Sequence, residues 1–180
     1  MSDWLDRCRA AVADVEAVLV ELPTRAEREP VVRRGEGGDD TTEIDARAEQ
    51  AVLRHFEDVS VVSEEVGQLR RDSPHLVVID PIDGSLNAKR GIPFFSLSVA
   101  VADGGTMDDI NFGFVHDFGS GEEWTARRGE GAFLVPRLPC LTPASRPPGL
   151  KDQPLTARSW RRRAVAASSS ARVPSCSTTP

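Results

Sequence analysis

Apolar residues recur at three- and four-residue spacing over the first 22 positions of the chain. This spacing places them on one face of an α-helix, which should end at or just before Pro23 because proline cannot continue a helix. Cys8 falls on this face, which favours a buried thiol. The residues of the face are Trp4, Leu5, Cys8, Ala11, Val12, Val15, Val18, Leu19 and Leu22.

A second amphipathic helix is predicted after a polar, glycine-rich stretch. Thr41 or Thr42 can cap its N-terminus, since a hydroxyl there accepts a hydrogen bond from a backbone N–H of the first turn. The apolar face of this helix would consist of Ile44, Ala48, Ala51, Val52 and Phe56.

Several short strands follow the two helices. Residues 59–63 form a β-branched run that leads directly into Glu64 and Glu65, and residues 76–79 form a continuous apolar run that ends at Asp80. An apolar run without alternation is typical of a strand buried on both faces. The order of two helices followed by strands predicts an α+β fold. The remaining strand candidates are residues 97–102, 110–115, 122–125 and 131–134, the last two as edge strands.

Charge divides the chain near residue 134. Residues 135–180 contain eight Lys and Arg against one Asp, together with eight of the 13 prolines, whereas residues 1–134 carry a net charge of −13. Such a composition predicts that residues 135–180 form a basic tail that is disordered or out of frame. No aromatic or glycine spacing accompanies the arginines of the tail, so we do not expect nucleic acid as a partner.

The overall composition, 39% hydrophobic and 28% charged, is that of a soluble globular protein. No stretch approaches the ~20 apolar residues that a membrane helix needs. The N-terminus lacks a signal-peptide pattern, so we expect a cytoplasmic protein with no membrane partner. Its three cysteines are far apart and form no CxxC pair of the kind used in zinc or redox sites.

The strongest chemical signal is the run IDPIDGSLN, which follows the strand predicted at residues 76–79. Asp80 and Asp83 stand three residues apart, with Pro81 stiffening the bend between them, so that both carboxylates can point to one place beyond the strand. Hard divalent cations prefer such oxygen ligands, and the backbone carbonyl of Ile82 is a further candidate.

The next two residues suit an anion site. Gly84 allows close approach of the backbone, and the amides of Gly84 and Ser85 would face an anion if they open a helix. The same residue types are ordinary in a turn that caps a helix, so this run alone leaves both interpretations open. Further acids favour a cation site, because a cluster of like charges is costly without one. These acids are Asp39, Asp40, Asp45, Glu64 and Glu65.

The segments that carry these acids resemble the inositol monophosphatase family in order and spacing. The resemblance implies a layered α/β/α/β/α sugar-phosphatase fold. Residues 1–134 would form its N-terminal part, and 135–180 a non-homologous disordered tail. Ser85 and the GIPFFS sequence look most like the archaeal branch, whose members often accept both inositol monophosphates and fructose 1,6-bisphosphate. The matching segments are GDDTTEIDARAE (38–49), VSEE (62–65), VVIDPIDGSLN (77–87), GIPFFSLSVAV (91–101) and GEEWTARRGEGAF (121–133).

The resemblance also implies a carboxylate site for up to three Mg²⁺ ions. By matching positions, Glu64, Asp80 and the Ile82 carbonyl would hold the first ion. Asp80 and Asp83 would hold the second, and Glu65 would stand beside these ligands.

Catalytic roles follow from the same resemblance. Asp45 and Ser85 would orient and deprotonate the water that attacks phosphorus, and Glu64 would join them as a catalytic residue. Gly84 and Ser85 would contact the phosphate group.

The function implied is Mg²⁺-dependent hydrolysis of a phosphate monoester of a small polyol or sugar, namely inositol monophosphate or fructose 1,6-bisphosphate, in a family that includes homodimers. The chain lacks the Trp-Asp-x-Ala-type motif that completes the second metal site. Its three tryptophans are followed by Leu5, Thr125 and Arg161. An alternative is therefore a truncated, catalytically impaired fragment arising from a frameshift, a mis-called gene end or natural truncation. A third is another phosphatase of the superfamily, acting on a nucleotide 3′-phosphate or histidinol phosphate.

Overall fold

The computed structural model describes residues 4–35 and 40–135, together with the backbone of residues 153–154. The helices are α1 (Trp4–Glu21), α2 (Arg25–Arg28), α3 (Glu43–Leu53) and α4 (Ser85–Arg90), with a 3₁₀ turn at Met107–Asp109. The strands are β1 (Val31–Arg34), β2 (Asp40–Thr42), β3 (Ser60–Ser63), β4 (Gly67–Leu69), β5 (Leu76–Asp83), β6 (Ser96–Ala102), β7 (Ile110–Asp117), β8 (Glu123–Arg127), β9 (Gly131–Val135) and β10 (Gln153–Pro154).

The strands form two sheets. β1 and β2 make an antiparallel ribbon, and the others make one sheet with the order β10-β9-β8-β7-β6-β5-β3-β4. Within this larger sheet β3 and β5 run parallel, with Ser63 opposite Ile79. Parallel strands end at the same edge of a sheet, so the residues that follow Ser63 and Ile79 come together there.

Both predicted helices are present, and their apolar faces form the core. α1 ends at Glu21, before Pro23, and Cys8 is fully buried on its inner face. α3 is capped by Thr42, the second of the two predicted candidates. Its residues Ile44, Ala48, Ala51 and Val52 are fully buried. The prediction of a mixed fold of helices and strands is confirmed.

Strand β5 differs from its prediction in length and burial. It continues past Asp80 to Asp83, and its pairing with β6 is irregular between these two residues. Val77 and Ile79 are buried, but Val78 is 43% exposed. The expectation of burial on both faces is therefore wrong, because an antiparallel neighbour and helices on one face produce alternation.

The two strands predicted at the edge of the sheet, residues 122–125 and 131–134, are not edge strands. β8 lies between β7 and β9, and β9 lies between β8 and β10. β10 consists of two residues of the predicted tail, and their backbone pairs antiparallel with β9. The expectation of disorder over the rest of 136–180 falls outside the described residues.

Two local features fix the position of α4. The sequence analysis considered a helix beginning at Gly84 and Ser85 but did not predict one. Gly84 precedes the helix with φ +91°, a conformation that favours glycine, and a Cβ there would lie 3.1 Å from the carbonyl oxygen of Phe94. The guanidinium group of Arg28 donates to the carbonyls of Leu22 (2.6 Å), Leu19 (3.3 Å) and Ala88 (2.8 Å). Arg28 therefore ties the end of α1 to α4.

None of the helices in the described ranges is long and apolar enough to span a bilayer.

Candidate active site

An acidic cavity of about 240 Å³ lies just beyond the paired residues Ser63 of β3 and Ile79 of β5. The lining residues that the structure describes all fall between positions 40 and 89. They supply five carboxylates, one hydroxyl and one ammonium group. The residues are Asp40, Asp45, Glu64, Glu65, Asp80, Pro81, Ile82, Ser85 and Lys89.

Asp45 lies in the first turn of α3 and is 4% exposed. Its Oδ2 accepts hydrogen bonds from the Thr42 N–H (3.1 Å) and the Thr42 hydroxyl (2.5 Å), and it lies 3.1 Å from Nζ of Lys89. Its Oδ1 is buried and has no hydrogen-bond partner among the described residues. The local capping geometry therefore engages Oδ2 of Asp45, and Oδ1 takes no part in it.

The surroundings of Asp80 in the cavity shift the pKa of its carboxyl group. Burial, followed by the nearby charges of Glu64 and Asp83, raises the pKa of Asp80 to about 6. The N–H of Ile82, which donates to Oδ1 of Asp80 at 3.1 Å, opposes this shift but does not cancel it. A positive charge in the cavity would lower this pKa, because the shift arises largely from desolvation and like charges.

Glu64 and Glu65 lie in the three-residue turn between β3 and β4. The hydroxyl of the buried Thr41 donates to Oε2 of Glu65. Thr41 belongs to β2, so the ribbon β1–β2 contacts the turn that carries the two acids.

Ser85 and Lys89 stand one helical turn apart on α4, and both line the acidic cavity. Residues four positions apart lie on the same helix face, which explains why both reach the cavity. The side chain of Lys89 is 15% exposed. Its ammonium group is a fixed positive charge among the acids.

Two predicted site residues lie elsewhere. Asp83 and Gly84 line a neighbouring cavity of about 230 Å³, although Asp83 still acts on the pKa of Asp80. Within the described ranges, no three acidic, histidine or cysteine side chains are gathered tightly enough to form an ion site. The expected convergence of Glu64, Asp80 and Asp83 on one point is thus only partial. Asp39 falls outside the described residues.

Sequence reasoning missed two charged residues near the site. Lys89 was not singled out, although its spacing from Ser85 could have identified it. Glu49 was not predicted as a site residue, although it stands four positions after Asp45 on α3. Glu49 is 2% exposed, and burial raises its pKa although Ser63 and Arg33 oppose the shift.

Comparison with known sequences decides the family. Residues 5–174 match the profile of the Inositol monophosphatase family. The chain belongs to the inositol monophosphatase family. The match continues past residue 134, where the resemblance was expected to stop, while the domain boundary at 134 stays a prediction.

Archaeal proteins are among the relatives within the inositol monophosphatase family. The chain is 36% identical over 135 residues to a fructose-1,6-bisphosphatase/inositol-1-monophosphatase of Methanothermobacter thermautotrophicus, covering 67% of this chain and 48% of the relative. It is 32% identical over 133 residues to a fructose-1,6-bisphosphatase of Pyrococcus furiosus, covering 73% and 51%. The chain therefore spans about half the length of the curated relatives it matches.

Solved structures of the family share the fold. The crystal structure of an inositol monophosphatase–fructose 1,6-bisphosphatase superimposes with a TM-score of 0.66 at 30% identity, covering 73% of this chain and 52% of the other. A Pyrococcus horikoshii protein described as similar to inositol-1 monophosphatase gives a TM-score of 0.62 at 27% identity, covering 74% and 52%.

Proposed function

We propose that this protein is a Mg²⁺-dependent phosphomonoesterase that hydrolyses a small polyol or sugar phosphate, inositol monophosphate or fructose 1,6-bisphosphate. The observation that carries the proposal concerns Asp45, which lines a cavity together with Glu64 and Asp80. Its buried Oδ1 has no hydrogen-bond partner in the part of the chain that the structure describes. The names of the archaeal relatives support the choice of substrates.

The donor atoms that line the acidic cavity are of the kind a hard divalent cation takes, although in the described ranges no three of the acids are gathered tightly around one point. These donors are mainly carboxylate oxygens, the kind of ligand that Mg²⁺ prefers, and burial together with the charges of Glu64 and Asp83 raises the pKa of Asp80. We assign Glu64, Asp80 and the carbonyl of Ile82 as ligands, with Asp83 as a further ligand from the neighbouring cavity. When bound, Mg²⁺ would offset the charge of the phosphate and make a water molecule more acidic.

Asp45 has the geometry of a general base. Thr42 and Lys89 hold its Oδ2, so its orientation is fixed and Oδ1 remains to take the proton of an attacking water. Glu64, in the turn between β3 and β4, contributes negative charge and also serves as a cation ligand.

Ser85 orients the attacking water and, with Gly84, contacts the phosphate group. Ser85 lines the acidic cavity and Gly84 lines the neighbouring one, so the two adjacent residues stand at the boundary between the cavities. A phosphate ester at this boundary would meet Asp45 on one side. Positioning and charge stabilisation would carry the reaction, with no covalent phosphoenzyme.

The test is phosphate release from inositol 1-phosphate and fructose 1,6-bisphosphate by the purified 180-residue chain in millimolar Mg²⁺. Chelation by EDTA should abolish release, and Asp80→Asn should lower kcat by ~10²–10³, the usual size of one electrostatic contributor. Asp72→Asn is the matched control, because Asp72 is exposed and precedes the opposite end of β5. Release that resists EDTA, or that is equal in the Asp80 and Asp72 variants, would overturn the proposal.

A further inference from the structure

Glu49 is a buried carboxylate outside the acidic cavity and has no role in the chemistry proposed above. Burying a charged group is costly unless hydrogen bonds and an opposite charge compensate it. Glu49 has three such partners on two segments of the chain, Ser63 and Val66 in the β3–β4 hairpin and Arg33 on β1.

One oxygen of Glu49 holds both ends of the turn that carries Glu64 and Glu65. Its Oε1 accepts a hydrogen bond from the hydroxyl of Ser63 at 2.6 Å and another from the N–H of Val66 at 3.1 Å. Ser63 immediately precedes Glu64, and Val66 immediately follows Glu65. A single buried acceptor therefore fixes where this turn begins and ends.

The other oxygen of Glu49 faces the ribbon β1–β2. Its Oε2 lies 2.8 Å from Nη2 of Arg33 on β1, a side chain that is 40% exposed. The same ribbon donates from Thr41 to Glu65. Arg33 holds the carboxylate in one orientation, so that Oε1 stays directed at the turn.

Asp45 and Glu49 are four residues apart on α3, and the rigid helix sets the distance between them. We propose that Glu49 is a positioning residue that holds the Glu64–Glu65 turn in register with Asp45 for cation binding. This inference rests on the proposed function. Groups that orient ligands in this way commonly affect metal affinity by about 10- to 100-fold.

The test is binding of Mn²⁺, as a probe for Mg²⁺, to the full chain, measured from the electron paramagnetic resonance signal of free Mn²⁺. Glu49→Met, which keeps the side-chain length but removes both acceptors, should weaken binding about 10- to 100-fold. Ser63→Ala should weaken it less, and should add nothing in the Glu49→Met background because the acceptor is already gone. Glu49→Gln, which keeps an acceptor for Ser63 and Val66, should recover most of the affinity.

Val101→Ala is the control for general loss of stability, because Val101 is fully buried on β6 away from the turn. It should lower the melting temperature without changing Mn²⁺ affinity. If the wild-type chain binds Mn²⁺ and the Ser63 and Glu49 variants bind equally well, the positioning role is wrong and the proposed function stands. If Glu49→Met does not fold, a Ser63→Ala affinity equal to that of wild type still overturns the inference. A wild-type chain that binds no Mn²⁺ overturns the proposed cation site itself.

Discussion

The ammonium group of Lys89 lies 3.1 Å from Oδ2 of Asp45, inside a cavity that five carboxylates share. It offsets part of the negative charge there and also repels any added cation. The same group that steadies Asp45 therefore competes with the cation we assign to this site.

Replacing Lys89 by Met should strengthen Mg²⁺ binding about tenfold. One unit charge acting on a divalent ion at ~6 Å in a water-like dielectric is worth about 1.4 kcal/mol, which corresponds to that factor. Isothermal titration with Mg²⁺ measures the change. Arg90→Met is the matched control, since Arg90 neighbours Lys89 but is exposed and does not line the cavity. Unchanged or weaker binding in Lys89→Met would contradict this prediction.

The raised pKa of Asp80 predicts how the metal-free protein responds to pH. The pKa is about 6 in the folded chain and 3.8 in its ordinary state, so the fold binds this proton more tightly than the unfolded chain does. The contribution of Asp80 to stability therefore falls as pH rises from about 4 to about 6 and stays low above that.

Asp80→Asn should consequently melt a few degrees higher than wild type at pH 7 in EDTA, and the difference should vanish near pH 4. Comparing the two proteins at each pH isolates Asp80 from all other titrating groups. Saturating Mg²⁺ at pH 7 should reverse the order by stabilising the wild type alone. An asparagine variant that is less stable than wild type at pH 7 in EDTA would disprove the account.

Arg28 should matter more to stability than its neighbour Arg25. Its three bonds to carbonyl oxygens join α1 to α4, so Arg28→Met should lower the free energy of unfolding by about 1–3 kcal/mol. Arg25→Met should have a much smaller effect, because the pair that Arg25 makes with Glu29 at 2.7 Å is exposed. Urea denaturation compares the two variants, and equal losses would contradict the prediction.

The fold was predictable where periodicity is strong. The buried faces of α1 and α3 follow helical spacing, and the buried positions of β6 are all apolar, so local pattern and tertiary burial agree there. The burial of β5 was not predictable, because a run such as residues 76–79 does not reveal how many faces will be covered. The ribbon β1–β2 was missed since its strand VVRR is exposed throughout.

The acids of the site were predictable, but their grouping was not. Asp45 lies in the first turn of α3 and Glu64 directly follows β3, whereas Asp80 lies within β5. The parallel pairing of β3 with β5 brings Glu64 and Asp80 together. Asp83 was expected with them. The strand continues through it and directs it to the neighbouring cavity, which no sequence spacing could reveal. The ligand assignments themselves stay predictions.

Because the described residues that line the acidic cavity all lie between positions 40 and 89, the order of synthesis has a kinetic consequence. A nascent chain that has emerged through β6 already carries all five carboxylates, together with both strands that bring Glu64 beside Asp80. Their mutual repulsion opposes the collapse of this segment before the remaining strands can stabilise it. We therefore expect a divalent cation that binds the proposed site to speed the folding of this segment as well as to stabilise the folded protein.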